Sequence, residues 1–169
     1  MTKHVIALKG EEDSGKTQTL LKLINMLYEG AHLSDRVKPF NVDEKGVKDA
    51  INLDQQVVID YKGVKIAICT CGDNKEILQN NIDYFKKNDC DIAVSATRSK
   101  GETIKKILEF SNEEKANLHL VYKGWVEYPY LSNNLRQQEA CDLLIESTAQ
   151  AMMIIIDGLI DEINAKQGI

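Results

Sequence analysis

The sequence has no excess of positive charge, no long apolar run and no paired-cysteine motif, and each gap removes a class of function. With Lys+Arg at 21 against Asp+Glu at 26, the formal charge is -5. The two signs are interleaved, so neither nucleic acid nor an anionic membrane finds an electrostatic footprint here. Near the start, residues 5–8 form an apolar run too short for the core of a signal peptide. The most apolar stretch, 152–156, is ended by Asp157 long before the roughly 20 residues that span a bilayer. It reads as a buried helix segment, and a cytoplasmic protein with no membrane partner is expected. Cys69, Cys71, Cys90 and Cys141 form no C-x-x-C pair. Cys69 and Cys71 share a strand face but have no nearby histidine or further thiol to complete a zinc tetrahedron, so all four read as reduced thiols. G-x-S-x-G and H-E-x-x-H are absent too, and His4, His32 and His119 are too scattered to be assigned catalysis. No Gly/Ser/Pro-rich linker divides the 169 residues, of which 43% are hydrophobic, so one domain over 1–169 is expected.

What is present is an alternation of strand and helix patterns. Periodicity and breakers predict strands over 3–9, 55–61, 64–70, 91–96 and 117–123, and helices over 15–30, 74–88, 101–110 and 133–165. The spacing Tyr61-Lys62-Gly63 permits a hairpin and no helical crossover, so one strand is expected to run antiparallel. The other strands are apolar on both faces and joined through helices, which predicts an α/β protein with a mostly parallel sheet in a three-layer α/β/α sandwich. Residues 31–54 read as a long loop with a short helix near 47–52. In the last helix apolar residues crowd both faces between 149 and 160, which calls for cover from the domain itself or from a second subunit, leaving a homodimer through this helix open.

Between the first strand and the first helix lies Gly10-Glu11-Glu12-Asp13-Ser14-Gly15-Lys16-Thr17, which satisfies G-x-x-x-x-G-K-[ST]. Glycines let backbone amides converge, and with the positive end of the following helix those amides make an anion site. Gly10, Asp13, Ser14, Gly15, Lys16, Thr17 and Gln18 are the candidate nucleotide contacts. Lys16 adds a charge for the β and γ phosphates, and Thr17 offers a hydroxyl to Mg2+. Glu11, Glu12 and Asp13 oppose this by raising the negative potential toward a triphosphate, a penalty that shrinks if they face water.

The pattern, set between a buried strand and an apolar-periodic helix, identifies the chain as similar to P-loop NTPases. Residues 56–72 resemble the strand pair leading into switch II of small GTPases, and with the loop this resemblance covers roughly half the chain. In those GTPases the second strand ends in D-x-x-G, whose Asp helps hold magnesium and whose Gly amide meets the γ phosphate. Gly72 matches, but Cys69 stands at the Asp position, and a thiol is a poor ligand for so hard a cation. Asp73 is the nearest substitute, either for magnesium or for positioning an attacking water; alternatively Asp73, with Glu76, caps the next helix. The guanine-reading N-K-x-D motif of GTPases is missing: His119-Leu120-Val121-Tyr122-Lys123-Gly124-Trp125 offers Lys123 without the Asp, so adenine is favoured by elimination. Tyr122 and Trp125 are core aromatics or stacking partners for a base. The loop also resembles that of metabolic and accessory P-loop NTPases, including those that help molybdenum cofactor assembly.

After the strand 91–96 come Arg98 and Lys100, placed to reach a γ phosphate or an anionic second substrate. The competing reading makes Ser99 and Glu102 a capping box with the basic residues solvated. Lys16, Asp73 and Arg98 are thus the candidate catalytic residues and Thr17 and Asp73 the candidate metal ligands. The expected ligand is a nucleoside triphosphate, ATP with magnesium. Three functions compete: an ATPase, a small-molecule kinase closed by residues 31–54 and 124–134, and a nucleotide sensor or assembly partner without turnover. A GTP-binding protein without the usual guanine motif is the remaining alternative.

Overall fold

A computed structural model describes residues 1–12, 14–30, 55–124 and 135–168. Along them run β1 (His4–Gly10), α1 (Lys16–Gly30), β2 (Gln56–Tyr61), β3 (Val64–Cys69), α2 (Lys75–Asn88), β4 (Ile92–Arg98), α3 (Glu102–Glu114), β5 (Asn117–Tyr122) and α4 (Leu135–Gln167). Each expected element is present. The expected loop and short helix within 31–54 lie outside the described residues, as do Asp13, His32 and Trp125 and all but the first residue of 124–134.

The five strands form one sheet in the order β2-β3-β4-β1-β5, and only the β2–β3 pair is antiparallel. Two residues, Lys62 and Gly63, join that hairpin, with φ of 51° and 76°. Two successive positive φ values are those of a type I′ turn, whose twist matches the flanking strands. Glycine takes the second of them without the cost a Cβ would bring.

Alternate residues of β1 point to opposite faces, and each face has its own core. Ile6 and Leu8 join Leu20, Leu23, Ile24 and Leu27 of α1 and Met152, Ile156, Leu159 and Ile160 of α4. Val5 and Ala7 join Leu78, Ile82 and Phe85 of α2 and Ile107 and Phe110 of α3. The sheet is therefore sandwiched between two helical layers. Because β1 feeds α1 on one face while its neighbour β4 feeds α3 on the other, the chain diverges at their carboxyl ends. In open α/β sheets such a divergence leaves a crevice where ligands bind.

Helix α4 is covered by its own chain along one face: Ala149, Met152, Ile156, Leu159, Ile160 and Ile163 are buried, whereas Leu143 and Ile154 stay exposed. Asp157 does not interrupt its apolar character as the sequence suggested. By length and a mean hydropathy of 1.6 over eighteen residues, Glu139–Gln167 is long and apolar enough to cross a membrane, with 28% of that window buried.

Candidate functional site

The β1 register brings the candidate residues together. Gly10 ends β1 directly opposite Arg98, the last residue of β4. On the other side, the Lys123 amide just past β5 donates to the Lys9 carbonyl at 2.7 Å. The loop from Gly10 to Lys16 thus emerges between two strand ends carrying one cation each. Both of its glycines are required by neighbours: a Cβ on Gly10 would stand 2.6 Å from Ser14 Oγ, and one on Gly15 would meet Ile145 of α4 at 3.3 Å at a φ of +87°. The stem of Lys123 packs against the same two glycines.

Ser14 and Lys16 are buried, at 2% and 6% exposure. The Lys16 ammonium folds back into the loop and donates to the carbonyls of Gly10 at 3.0 Å and Glu11 at 2.6 Å. Burial pushes it below its ordinary value and Arg98 adds to that, while Asp73 and Glu11 hold it up. Three buried polar side-chain atoms of the described residues have no hydrogen-bond partner, and two of them, Ser14 Oγ and Arg98 Nε, are at this loop. An unpaired buried polar atom costs roughly 1–3 kcal/mol, a cost that water or another polar partner from outside the chain would remove at both atoms.

Glu11 and Glu12 do not face inward. Glu11 Oε1 accepts from Ser99 Oγ at 2.6 Å, and Glu12 pairs with Arg98 at 3.3 Å. Both carboxylates are thereby drawn toward the end of β4, and the penalty they impose on an anion falls. This overturns the capping box expected of Ser99 and Glu102: α3 starts from Gly101 without a side-chain cap, and Glu102 instead pairs with Lys75 and Lys105. Lys100 and Gln18 are exposed.

The exit of β3 approaches from the side. Thr17 Oγ1 donates to the Thr70 carbonyl at 3.3 Å, which ties the first turn of α1 to that exit. Helix α2 is capped by Asn74, whose Oδ1 accepts from the Ile77 amide at 2.9 Å. The expected cap at Asp73 is therefore wrong by one residue, and the Asp73 carboxylate, exposed and near enough to Lys16 to act on it, is not used for capping. Gly72 is needed for a reason other than an amide contact: a Cβ there would lie 1.8 Å from the Ala96 carbonyl oxygen of β4. Cys69, at the position of the resembling motif's Asp, is buried, and burial pushes its thiol up. Tyr122 is exposed under Lys9, whose ammonium lies 4.7 Å from the ring centroid.

Sequence reasoning missed Lys123 as a wall of the loop, the Thr70 carbonyl, and the pairing of Glu11 and Glu12 with β4. None has a local signal, because each depends on which strand ends lie side by side. Among the described residues no group of three His, Cys, Asp or Glu side chains is arranged to hold a metal. No family model, curated protein or solved structure matches the chain.

Proposed function

We propose that this chain is a P-loop NTPase-type domain that binds ATP with magnesium at the carboxyl ends of β1 and β4, and hydrolyses the nucleotide or transfers its γ phosphate. The observation that carries the reading is the unpartnered, buried Ser14 hydroxyl beside the inward-turned Lys16 ammonium, in a loop that ends at a helix N-terminus. A phosphate entering that loop supplies acceptors for Ser14, for Lys16 and for the amides at the start of α1. The residues fit magnesium as it is usually held beside phosphates, by one or two protein oxygens with water completing the shell. Thr17 and Asp73 would hold it, and it would neutralise charge on the β and γ oxygens. Arg98 exchanges Glu12 for the γ phosphate; an exposed ion pair of that kind is worth only about 0–1 kcal/mol. A cytoplasmic setting is part of the proposal.

A second reading, a nucleotide sensor or assembly partner without turnover, is favoured by one observation: the residue in the place of the strand-end Asp is the buried Cys69 thiol. One experiment separates the two. Calorimetric titration with ATP and with GTP, each with magnesium, is run on the native chain and on Lys16→Ala, with phosphate release followed in the same samples. We expect ATP to bind more tightly than GTP and Lys16→Ala to weaken binding about thirtyfold, since a charge-assisted hydrogen bond contributes roughly 1.5–3 kcal/mol. Binding without phosphate release supports the sensor. No binding of either nucleotide at millimolar concentration defeats both readings.

A further inference from the structure

On α2 the buried face reads Leu78, Asn81, Ile82 and Phe85. An asparagine on such a stripe is costly unless its amide is fully paired. Asn81 is 3% exposed, and its amide is satisfied by three different segments. Its Nδ2 donates to the Cys71 carbonyl at 2.6 Å and to Ser95 Oγ of β4 at 3.2 Å, while its Oδ1 accepts from Gln56 Nε2 of β2 at 3.1 Å. Ser95 Oγ in turn donates to the Ala96 carbonyl at 2.9 Å, the same oxygen against which Gly72 is pressed.

These contacts share one end of the sheet. Gln56 stands opposite Cys69, and Cys69 opposite Ser95, so the three form a single row across β2, β3 and β4. Asn81 lies under that row and grips the chain two residues beyond it, at Cys71. Gly72 then allows the strand exit to lie flat on β4, and the following residue is Asp73. The Asp73 carboxylate is thus carried by an exit that is anchored on both sides: by Gly72 against Ala96 and by the Cys71 carbonyl on Asn81.

We propose that Asn81 is a positioning residue for the Asp73 carboxylate, fixing the Cys71-Gly72-Asp73 exit so that Asp73 meets the magnesium of bound nucleotide. The inference rests on the nucleotide reading above. It separates two contributions to affinity: the loop around Lys16 binds phosphate by itself, while Asn81 acts only on what the metal adds.

The test measures the ATP dissociation constant twice, in EDTA and in saturating magnesium, for the native chain, Asn81→Ser, Gln56→Ala and Asp73→Asn, with thermal unfolding of each. For Asn81→Ser the EDTA value stays within about twofold of native, while the magnesium value rises about tenfold, the usual scale for loss of an outer-shell partner. Asp73→Asn shows the same pattern. Gln56→Ala, at an exposed position whose amide bonds both the Asn81 carbonyl oxygen and the Cys69 thiol, shifts the magnesium value in the same direction by less. Equal weakening with and without metal in Asn81→Ser overturns the proposal and makes the residue a packing element only. So does an unchanged magnesium value, or a native chain that binds ATP with no gain from magnesium. If Asn81→Ser does not fold, Gln56→Ala decides, and an unchanged magnesium value there overturns the proposal. A native chain that binds ATP under neither condition removes the nucleotide reading and this inference together.

Discussion

Asp73 and Asn74 are adjacent, both short and polar, and either could cap a helix by composition. The structure separates them: Asn74 has the extended backbone of a cap and accepts from Ile77, whereas Asp73 has no capping bond. Asn74→Ala is therefore expected to cost about 1 kcal/mol, roughly 2–4 °C for a chain of this size. Asp73→Asn should leave thermal stability within about 0.5 kcal/mol of native. Differential scanning calorimetry of the two variants without nucleotide checks this, and the reverse order would return Asp73 to a structural role. The same limit applies to Gly72. The sequence marks it as a glycine after a strand, but the reason, the Ala96 carbonyl, comes from a residue 24 positions away. Asn81 did leave a trace, as a polar residue on an apolar helical stripe.

The elements were legible because each bears its own local signal: periodicity for α1 and α2, a two-residue turn for β2–β3, uniform apolarity for β1 and β4. Their ends were less so, since β4 runs on to Arg98 and α3 to Glu114 under tertiary pairing that no local pattern shows. How elements meet also brings titratable groups together. His4 of β1 and His119 of β5 approach to 3.2 Å between Nδ1 and Nε2, with Glu162 of α4 acting on both and Lys3 and Lys166 on His4. Burial pushes both imidazoles below their ordinary 6.5 despite Glu162. The folded state thus prefers them neutral, and the shared bond needs one ring to accept. Between the lowered values and 6.5 the unfolded chain holds more protons, so stability is full above about pH 6.5 and falls as the pH drops below it. Glu162, Glu146 and Asp89 are shifted down, so what they contribute is lost only below their ordinary values of 4.5 and 3.8. Urea unfolding between pH 7.5 and 5 should show the histidine loss in the native chain and a flatter profile in His119→Gln. Equal slopes in the two would remove the pair as its cause.

At the scale of the whole molecule, a ligand that binds only the folded state stabilises it by mass action. ATP with magnesium at about a hundred times its dissociation constant should add about 2.7 kcal/mol, raising the midpoint roughly 5–11 °C. At that same concentration Lys16→Ala should gain much less, and scanning fluorimetry reads both. A rise of equal size in Lys16→Ala would place the binding elsewhere than in the loop. The strand and helix content, the hairpin and the glycine loop could be read directly from the residues, because each is set by neighbours within a few positions. The order β2-β3-β4-β1-β5 could not, and it is this order that sets Arg98 beside Gly10, turns Glu11 and Glu12 toward β4, and closes the loop with Lys123 and Ile145. Those contacts join residues up to 130 positions apart, and only the packing of two helical layers onto one sheet brings them within reach.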